Sequence, residues 1–398
     1  MLINIPRAEA ILRERKMDAL LASTLHNVFY LSGFWNENVF ITPRTAQAYA
    51  LAVKDDLAAP TVLTGVGDAA AAFTVCPPRS RFVFFGSFFR YTAPGVLLEP
   101  IERRVADQSG EIDIKPNSLE ALAAALKQCG LTRGVVGYDE RGVGDSLLAG
   151  LRQYLPQVDF RPADAVFLSI RAVKTEEELR RLQAAVALTE AAVRAAVKMA
   201  QPGVTESEMV REFNRTIVSG GGHPLFTMIY FGRRGSLGQQ PVLNGVLRHG
   251  DIIRFDVGCV LNGYCSDIAR NFAVGDPGGR LRRLHAITVE AEDAALDALR
   301  PGAKASQVFQ AGVEAARAAG IPEYRRHHIG HGVGLEVYET PLLGPGDHTV
   351  IEEGMTFEVE TPYYEIGSAG LQPEDTVVVT QTRPRLLTTL PRELVVIE

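Results

Sequence analysis

Arg254-Phe-Asp-Val-Gly-Cys-Val-Leu261, Asn262-Gly263, Tyr264-Cys-Ser-Asp-Ile-Ala-Arg-Asn-Phe272 is the stretch whose reading decides the fold. The first run reads as a strand, Asn-Gly is the strongest two-residue hairpin signal, and the second run reads as the returning strand. So tight a turn fixes the register. With Leu261 opposite Tyr264, Asp256 lies opposite Ala269 and Asp267 lies opposite Gly258. Side chains alternate between the two faces of a strand, so both aspartates fall on one face as diagonal neighbours. The other face carries Phe255, Val257, Leu261, Ile268 and Phe272 and reads as core. Two carboxylates held this close in a partly buried place raise each other's pKa, so a cation or a shared proton is expected between them.

Composition sets the frame for that hairpin. The chain has 398 residues, 46% hydrophobic and 22% charged, which is ordinary for a globular protein and long enough for two domains. Its formal charge of -6 comes without a basic run, which argues against nucleic acid or an acidic membrane surface as partner. No segment reaches about 18 uninterrupted apolar residues, and Met1 to Arg15 lacks the apolar core of a signal peptide, so the expected location is cytoplasmic. Cys76, Cys129, Cys259 and Cys265 form neither a paired metal motif nor a disulfide framework and read as free, partly buried thiols.

Before the hairpin, short apolar runs alternate with helical stretches. Asp18–Ser23, Val28–Leu31, Tyr49–Val53, Thr61–Leu63, Arg81–Phe85 and Gly134–Tyr138 are the expected strands, with helices over Pro6–Lys16 and Ser118–Gln128. This pattern predicts a mixed α/β domain over residues 1–163, followed by a second domain over 164–398. The second opens on a capping box, Thr175-Glu-Glu-Glu178, starting a helix that runs towards Met199; Pro202-Gly203 breaks it and another helix follows from Thr205. Gln201-Pro-Gly-Val-Thr-Glu-Ser207 then recurs as Arg300-Pro-Gly-Ala-Lys-Ala-Ser306, each preceded by a long Ala-rich helix. We read an internal duplication of helix-helix-sheet halves about a pseudo-two-fold axis. The two aspartates belong to the first half.

The second half holds three further candidate ligands. His331 sits in Gly330-His-Gly-Val-Gly334, where glycines allow close backbone approach. Glu360 ends Met355-Thr-Phe-Glu-Val-Glu360, a strand with Phe357 and Val359 on one face and carboxylates on the other. Glu374 opens an apolar strand, where a buried carboxylate needs a partner. Carboxylates with one imidazole suit Mn, Co, Fe or Zn, and four carboxylates are enough for two ions. Neighbouring His327 and His328 read as supporting or loop residues.

In this arrangement the sequence closely resembles the pita-bread metallopeptidase family, which includes prolidase, aminopeptidase P, methionine aminopeptidase and the amidinohydrolase creatinase. The resemblance covers essentially the whole chain. It implies an α+β fold in which a creatinase-type N-terminal α/β domain precedes a pita-bread catalytic domain of duplicated ααββ halves. It also implies a ligand set of Asp256 in Asp-Val-Gly, Asp267 in Tyr-Cys-Ser-Asp, His331 in Gly-His-Gly-Val-Gly, Glu360, and Glu374 in Glu-Asp-Thr-Val. In that family two divalent ions share a bridging water or hydroxide that attacks the scissile carbonyl, and the glutamate matching Glu360 accepts a proton. A homodimer is implied too, with the N-terminal domain near Trp35 to Val39 edging the partner's pocket.

Three departures from the family pattern bear on the substrate. Gln239 and Tyr338 stand where the family has histidines that contact the substrate carbonyl, and Gln372 stands where it has an arginine. Gln239 and Tyr338 still donate hydrogen bonds, but neither titrates near neutrality. The candidate catalytic residues are therefore Glu360, Tyr338, Gln239 and His327. The expected activity is hydrolysis of small peptides with proline in second position, by a dipeptidase or an aminopeptidase P-like enzyme. The alternative is a metalloenzyme of the same fold acting on a non-peptide amide or another metabolite.

Overall fold

A computed structural model describes residues 2–42, 47–110, 114–241 and 244–398. The chain divides into two compact units, Met1–Arg171 and Ala172–Glu398. In the first, strands β1 (Ala19–Ala22), β2 (Ala48–Val53), β3 (Thr61–Gly65), β4 (Arg81–Phe85), β5 (Gly134–Tyr138) and β6 (Val158–Pro162) form one sheet in the order β4-β3-β2-β1-β5-β6. Leu21, Leu51, Leu63 and Val136 from these strands pack on Leu122 and Leu126 of the helix Ser118–Gln128, whose Asn117 side chain caps its first turn.

Two expectations for this unit need correction. Val28–Leu31 is not a strand but part of the helix Leu25–Ser32. Four apolar residues in a row fit either element when both sides are buried. Here the Asp139 carboxylate decides, accepting hydrogen bonds from Thr24 N (3.0 Å) and Asn27 Nδ2 (2.8 Å) at the helix N-terminus. The division between units also lies later than residues 163/164. The helix Asp164–Ala172 follows Pro162, and its Phe167 and Ile170 are fully buried. Arg171 donates to Asn27 Oδ1 at 3.0 Å, which ties that helix to the first unit.

The second unit begins with the helix Glu176–Val197, opened by the Thr175/Glu178 capping box, and the helix Glu206–Ser219. Strands β7 (His223–Phe231), β8 (Ile252–Leu261), β9 (Tyr264–Cys265) and β10 (Ile268–Val274) complete a first half. The helices Gly279–Ala298 and Ala305–Ala319 follow, then β11 (Gly330–Gly332), β12 (Glu339–Leu342), β13 (Thr356–Glu360), β14 (Tyr363–Tyr364), β15 (Gly370–Leu371) and β16 (Glu374–Val378). Their main sheet runs β12-β11-β13-β16-β10-β8-β7, so the halves meet where β10 pairs with β16 and Ala269 faces Glu374.

The duplication is visible in the backbone hydrogen bonds. In the first half Gly203 N reaches Leu247 O at 2.9 Å and Leu247 N reaches Val204 O at 2.8 Å; in the second, Gly302 N reaches Ile351 O at 2.9 Å and Ile351 N reaches Ala303 O at 2.8 Å. Each half also has its own core. Phe213, Phe255, Val257 and Ile268 cluster in one, and Val308, Phe357, Val359 and Val377 cluster in the other. Fully burying side chains of this size contributes roughly 1.5–3 kcal/mol each. Among the described residues no helix is long and apolar enough to cross a membrane.

The hairpin adopts the expected register, with Leu261 opposite Tyr264 and Ala269 opposite Asp256. The returning strand is broken at Ser266-Asp267, because the Ser266 hydroxyl accepts from Cys259 N at 3.1 Å and pairs with Thr189 Oγ1 at 2.7 Å. Gly258 lies beneath this break. A Cβ there would overlap the Ser266 carbonyl oxygen and meet the Phe226 ring at 2.8 Å. Gly258→Ala is therefore expected to destabilise the protein by about 1–3 kcal/mol, read from a urea transition. An unchanged midpoint would contradict the packing described.

Candidate metal centre

Cross-strand register, more than any single residue, builds the site. Asp256 pairs with Ala269, Ala269 with Glu374, and Glu374 with Glu360, so these four lie in one row across β8, β10, β16 and β13. Neighbouring strands are roughly 4.8 Å apart, and partners in a row share a face. The small Ala269 leaves space between Asp256 and Glu374. Asp267 precedes Ala269 by two residues and so points the same way. His331 pairs with Glu358, two residues before Glu360, and reaches this face from β11.

The oxygens and nitrogens converge. Ligating atoms of Asp267, His331 and Glu374 all lie within 4.8 Å of one another, and His331 Nε2 is 3.8 Å from Asp267 Oδ2. Asp256 and Glu360 stand beside that trio, linked through Gln372, whose amide donates to Glu360 Oε2 at 3.3 Å and Glu374 Oε2 at 3.5 Å. His331 Nδ1 contacts the Gly332 carbonyl at 3.1 Å, and a carbonyl accepts only a proton, so the N–H sits there and Nε2 carries the lone pair. Neither His331 Nε2 nor Asp267 Oδ1, both buried, has a hydrogen-bond partner among the described residues. Unsatisfied acceptors aimed at one point, in a set of hard oxygens and one imidazole, fit a divalent cation.

Electrostatics lead to the same conclusion. Burial raises the carboxyl pKa of Asp256, Asp267, Glu360 and Glu374, and mutual repulsion adds to the rise in Asp267 and Glu374. Glu360 is pushed up to about 7 by burial, although Arg326 and Arg254 pull it back. Burial lowers the imidazole of His331 to about 4, so it is a neutral ligand at physiological pH. Glu358, on the same face, is also raised by burial and bonds Thr376 Oγ1 at 3.1 Å.

A cleft of about 480 Å³ opens over the row. The candidate catalytic residues line it differently. The Tyr338 ring stacks on His331 with centroids 3.6 Å apart, and burial followed by the nearby carboxylates raises its hydroxyl pKa. Its loop is anchored next door, where the buried Lys174 ammonium meets Glu339 at 3.0 Å. Gln239 and His327 are exposed on the cleft wall. His328 is the buried histidine of the pair, with Nδ1 3.2 Å from Glu360 Oε1.

Sequence reasoning missed two cations here. Arg254 is fully buried, donates to Gln372 Oε1 and Gly238 O at 3.3 Å each, and lies two residues before Asp256 on the site face. That parity was a usable signal. Arg326, 3.9 Å from Glu360, comes from a loop whose conformation no local pattern announces.

Comparison with known proteins agrees with this geometry. Residues 180–381 match metallopeptidase family M24. An Xaa-Pro dipeptidase of Pyrococcus furiosus is 33% identical over 238 residues, which is 59% of this chain and 68% of that protein. One from Lactobacillus delbrueckii subsp. lactis is 31% identical over 263 residues, 65% of this chain and 72% of that protein. The crystal structure of an X-Pro aminopeptidase from Thermotoga maritima has the same fold, with a TM-score of 0.75, 22% identity and 99% of both chains covered.

The raised carboxyls predict a pH effect on the cation-free protein. The neutral form of Glu360 favours folding below its ordinary value of 4.5, and that contribution is lost as pH rises through about 7. The melting temperature of EDTA-treated protein should fall between about pH 5 and 7.5, and saturating Mn²⁺ should raise it most at the upper end. Coincident melting curves with and without Mn²⁺ at pH 7.5 would count against a cation site.

Proposed function

We propose, from the premise that the chain belongs to metallopeptidase family M24, that it hydrolyses small peptides carrying proline in second position, as an Xaa-Pro dipeptidase or an aminopeptidase P-like enzyme. The fold is the α+β pita-bread fold, and the chain is a peptidase by family. What carries the reading is the row of buried carboxylates, together with His331 Nε2 and Asp267 Oδ1, which have no hydrogen-bond partner among the described residues. Asp256, Asp267, His331, Glu360 and Glu374 would hold two divalent ions, drawn from Mn, Co and Zn. Ions bound there supply Lewis acidity, polarising the scissile carbonyl and lowering the pKa of water.

The remaining steps belong to side chains. Glu360, whose carboxyl group lines the cleft, takes the proton from the attacking water. It delivers that proton to the proline nitrogen as the C–N bond breaks, so an amino acid and proline leave. The Tyr338 hydroxyl, kept protonated by its surroundings, donates to the carbonyl oxygen as negative charge builds there. The Gln239 amide offers a further donor from the cleft wall. His327, whose pKa is lowered by burial, faces the cleft as a neutral imidazole able to donate or accept. The names of the Pyrococcus and Lactobacillus relatives support proline as the second residue.

The test is reconstitution. Metal-stripped protein loaded with Mn, Co or Zn is assayed on an Xaa-Pro dipeptide, a longer Xaa-Pro peptide, a Met-peptide and creatine. Proline release from an Xaa-Pro substrate is expected. No cleavage of any peptide, with metal bound, would sink the peptidase reading, and turnover of creatine alone would move it to a non-peptide amide. Tyr338→Phe should lower kcat by about 10²–10³ if the hydroxyl stabilises the oxyanion. Asp267→Ala and Glu374→Ala should abolish both metal binding and activity. Unchanged metal stoichiometry in both variants would refute the ligand set.

A further inference from the structure

The row of Asp256, Ala269, Glu374 and Glu360 has a neighbour two residues along β10, β16 and β13. His331 on β11 pairs with Glu358 on β13, and Glu358 pairs with Thr376 on β16. Ala269 faces Glu374 in an antiparallel pair, so Asp267 faces Thr376. This second row therefore runs His331, Glu358, Thr376, Asp267, on the face that carries the ligands. His331 and Asp267 stand three strand spacings apart, roughly 14 Å at the backbone. Their Nε2 and Oδ2 atoms are nevertheless only 3.8 Å apart. The two side chains lean together over the residues between them, and Glu358 lies fully buried beneath that arch.

Packing alone leaves Glu358 unexplained. Its Oε1 accepts from Thr376 Oγ1 at 3.1 Å, while its Oε2 is buried with no hydrogen-bond partner among the described residues. Elsewhere in the unit deeply buried acids meet a cation: Glu206 has Arg234 at 2.8 Å, Glu339 has Lys174 at 3.0 Å, and Asp375 has Arg270. A carboxylate left in the interior without such a partner is costly, so positive charge is expected against Oε2. The arch above it, where the atoms of Asp267, His331 and Glu374 converge, is the place for that charge.

Glu358 is also tied to one of the ligands. The Thr376 hydroxyl bridges Glu358 Oε1 and the Asp267 carbonyl, 3.2 Å away, and the Asp267 backbone N–H faces the same carboxylate. Asp267 adjoins the break in its strand, where regular pairing does not hold it, and the Glu358–Thr376 pair takes over that task. We infer that Glu358 is a positioning residue of the metal centre: it holds Asp267 in its ligating place through Thr376 and sets negative charge beneath the cation. The inference rests on the ligand set proposed above and does not depend on the substrate.

The test is calorimetric titration of metal-stripped protein with Mn²⁺, alongside the melting temperature of the metal-free protein. Glu358→Gln keeps the shape and an acceptor for Thr376 but removes the charge. Its affinity for Mn²⁺ should fall about 10- to 100-fold, as is usual when a group supporting a ligand is lost. Its metal-free melting temperature should hold or rise, because the new amide can donate to the neighbouring acids. Unchanged Mn²⁺ affinity overturns the proposal. So does weaker binding accompanied by a lower metal-free melting temperature, which would mark a merely structural residue. Should the glutamine variant not fold, Thr376→Val decides: cutting the tie to Asp267 should weaken Mn²⁺ binding, and an unchanged affinity overturns the proposal. An unaltered protein that binds no Mn²⁺ would sink the ligand set and this role with it, whereas normal binding by the unaltered protein and Glu358→Gln alike would sink this role alone.

Discussion

Asp256, Asp267, Glu360 and Glu374 share one buried sheet face, and four carboxylates cannot remain ionised together there unless positive charge is placed among them. Much of the second unit answers that constraint. His331 is held neutral with its lone pair inward, Gln372 donates to two of the acids, and Arg254 and Arg326 line the same cleft as the row. A divalent cation completes the neutralisation more effectively than protons, because it satisfies several oxygens at once. Stability without the ion and chemistry with it are thus two consequences of one arrangement.

The duplication explains how such a face is assembled. Each half supplies helices that bury its own apolar strand face, leaving the opposite face free to carry acids. Joining the halves through β10 and β16 puts Glu374 next to Ala269 and so brings the acids of one half beside those of the other. Beneath the seam, Arg270 donates to the backbone carbonyls of Ala269 and Glu374 as well as to Asp375. The row therefore stands on a buried ion pair that fixes the two central strands to each other.

Much of this was legible because it depends on short-range rules. Asn262-Gly263 set the hairpin register, alternation sorted Phe255 and Val257 from Asp256, and the capping box at Thr175 marked the helix start. What was not legible depends on contacts distant in sequence. Val28–Leu31 became helix because Asp139, far along the chain, caps its first turn. Arg326 gained its place from a loop laid against β13, and His328 came to lie beside Glu360 by the same path. Gln372 read as a lost arginine, yet in the fold it bridges two acids while Arg254 supplies a guanidinium behind it. No pattern of neighbours in sequence encodes that exchange.

The central claim, that both halves grip a divalent cation on one sheet face, is tested most directly by anomalous diffraction from crystals soaked in Mn²⁺. The account predicts anomalous peaks bounded by Asp256, Asp267, His331, Glu360 and Glu374, with His331 Nε2 and Asp267 Oδ1 among the ligating atoms. Peaks elsewhere, or none at saturating Mn²⁺ with the four carboxyls hydrogen-bonded to one another, would contradict it.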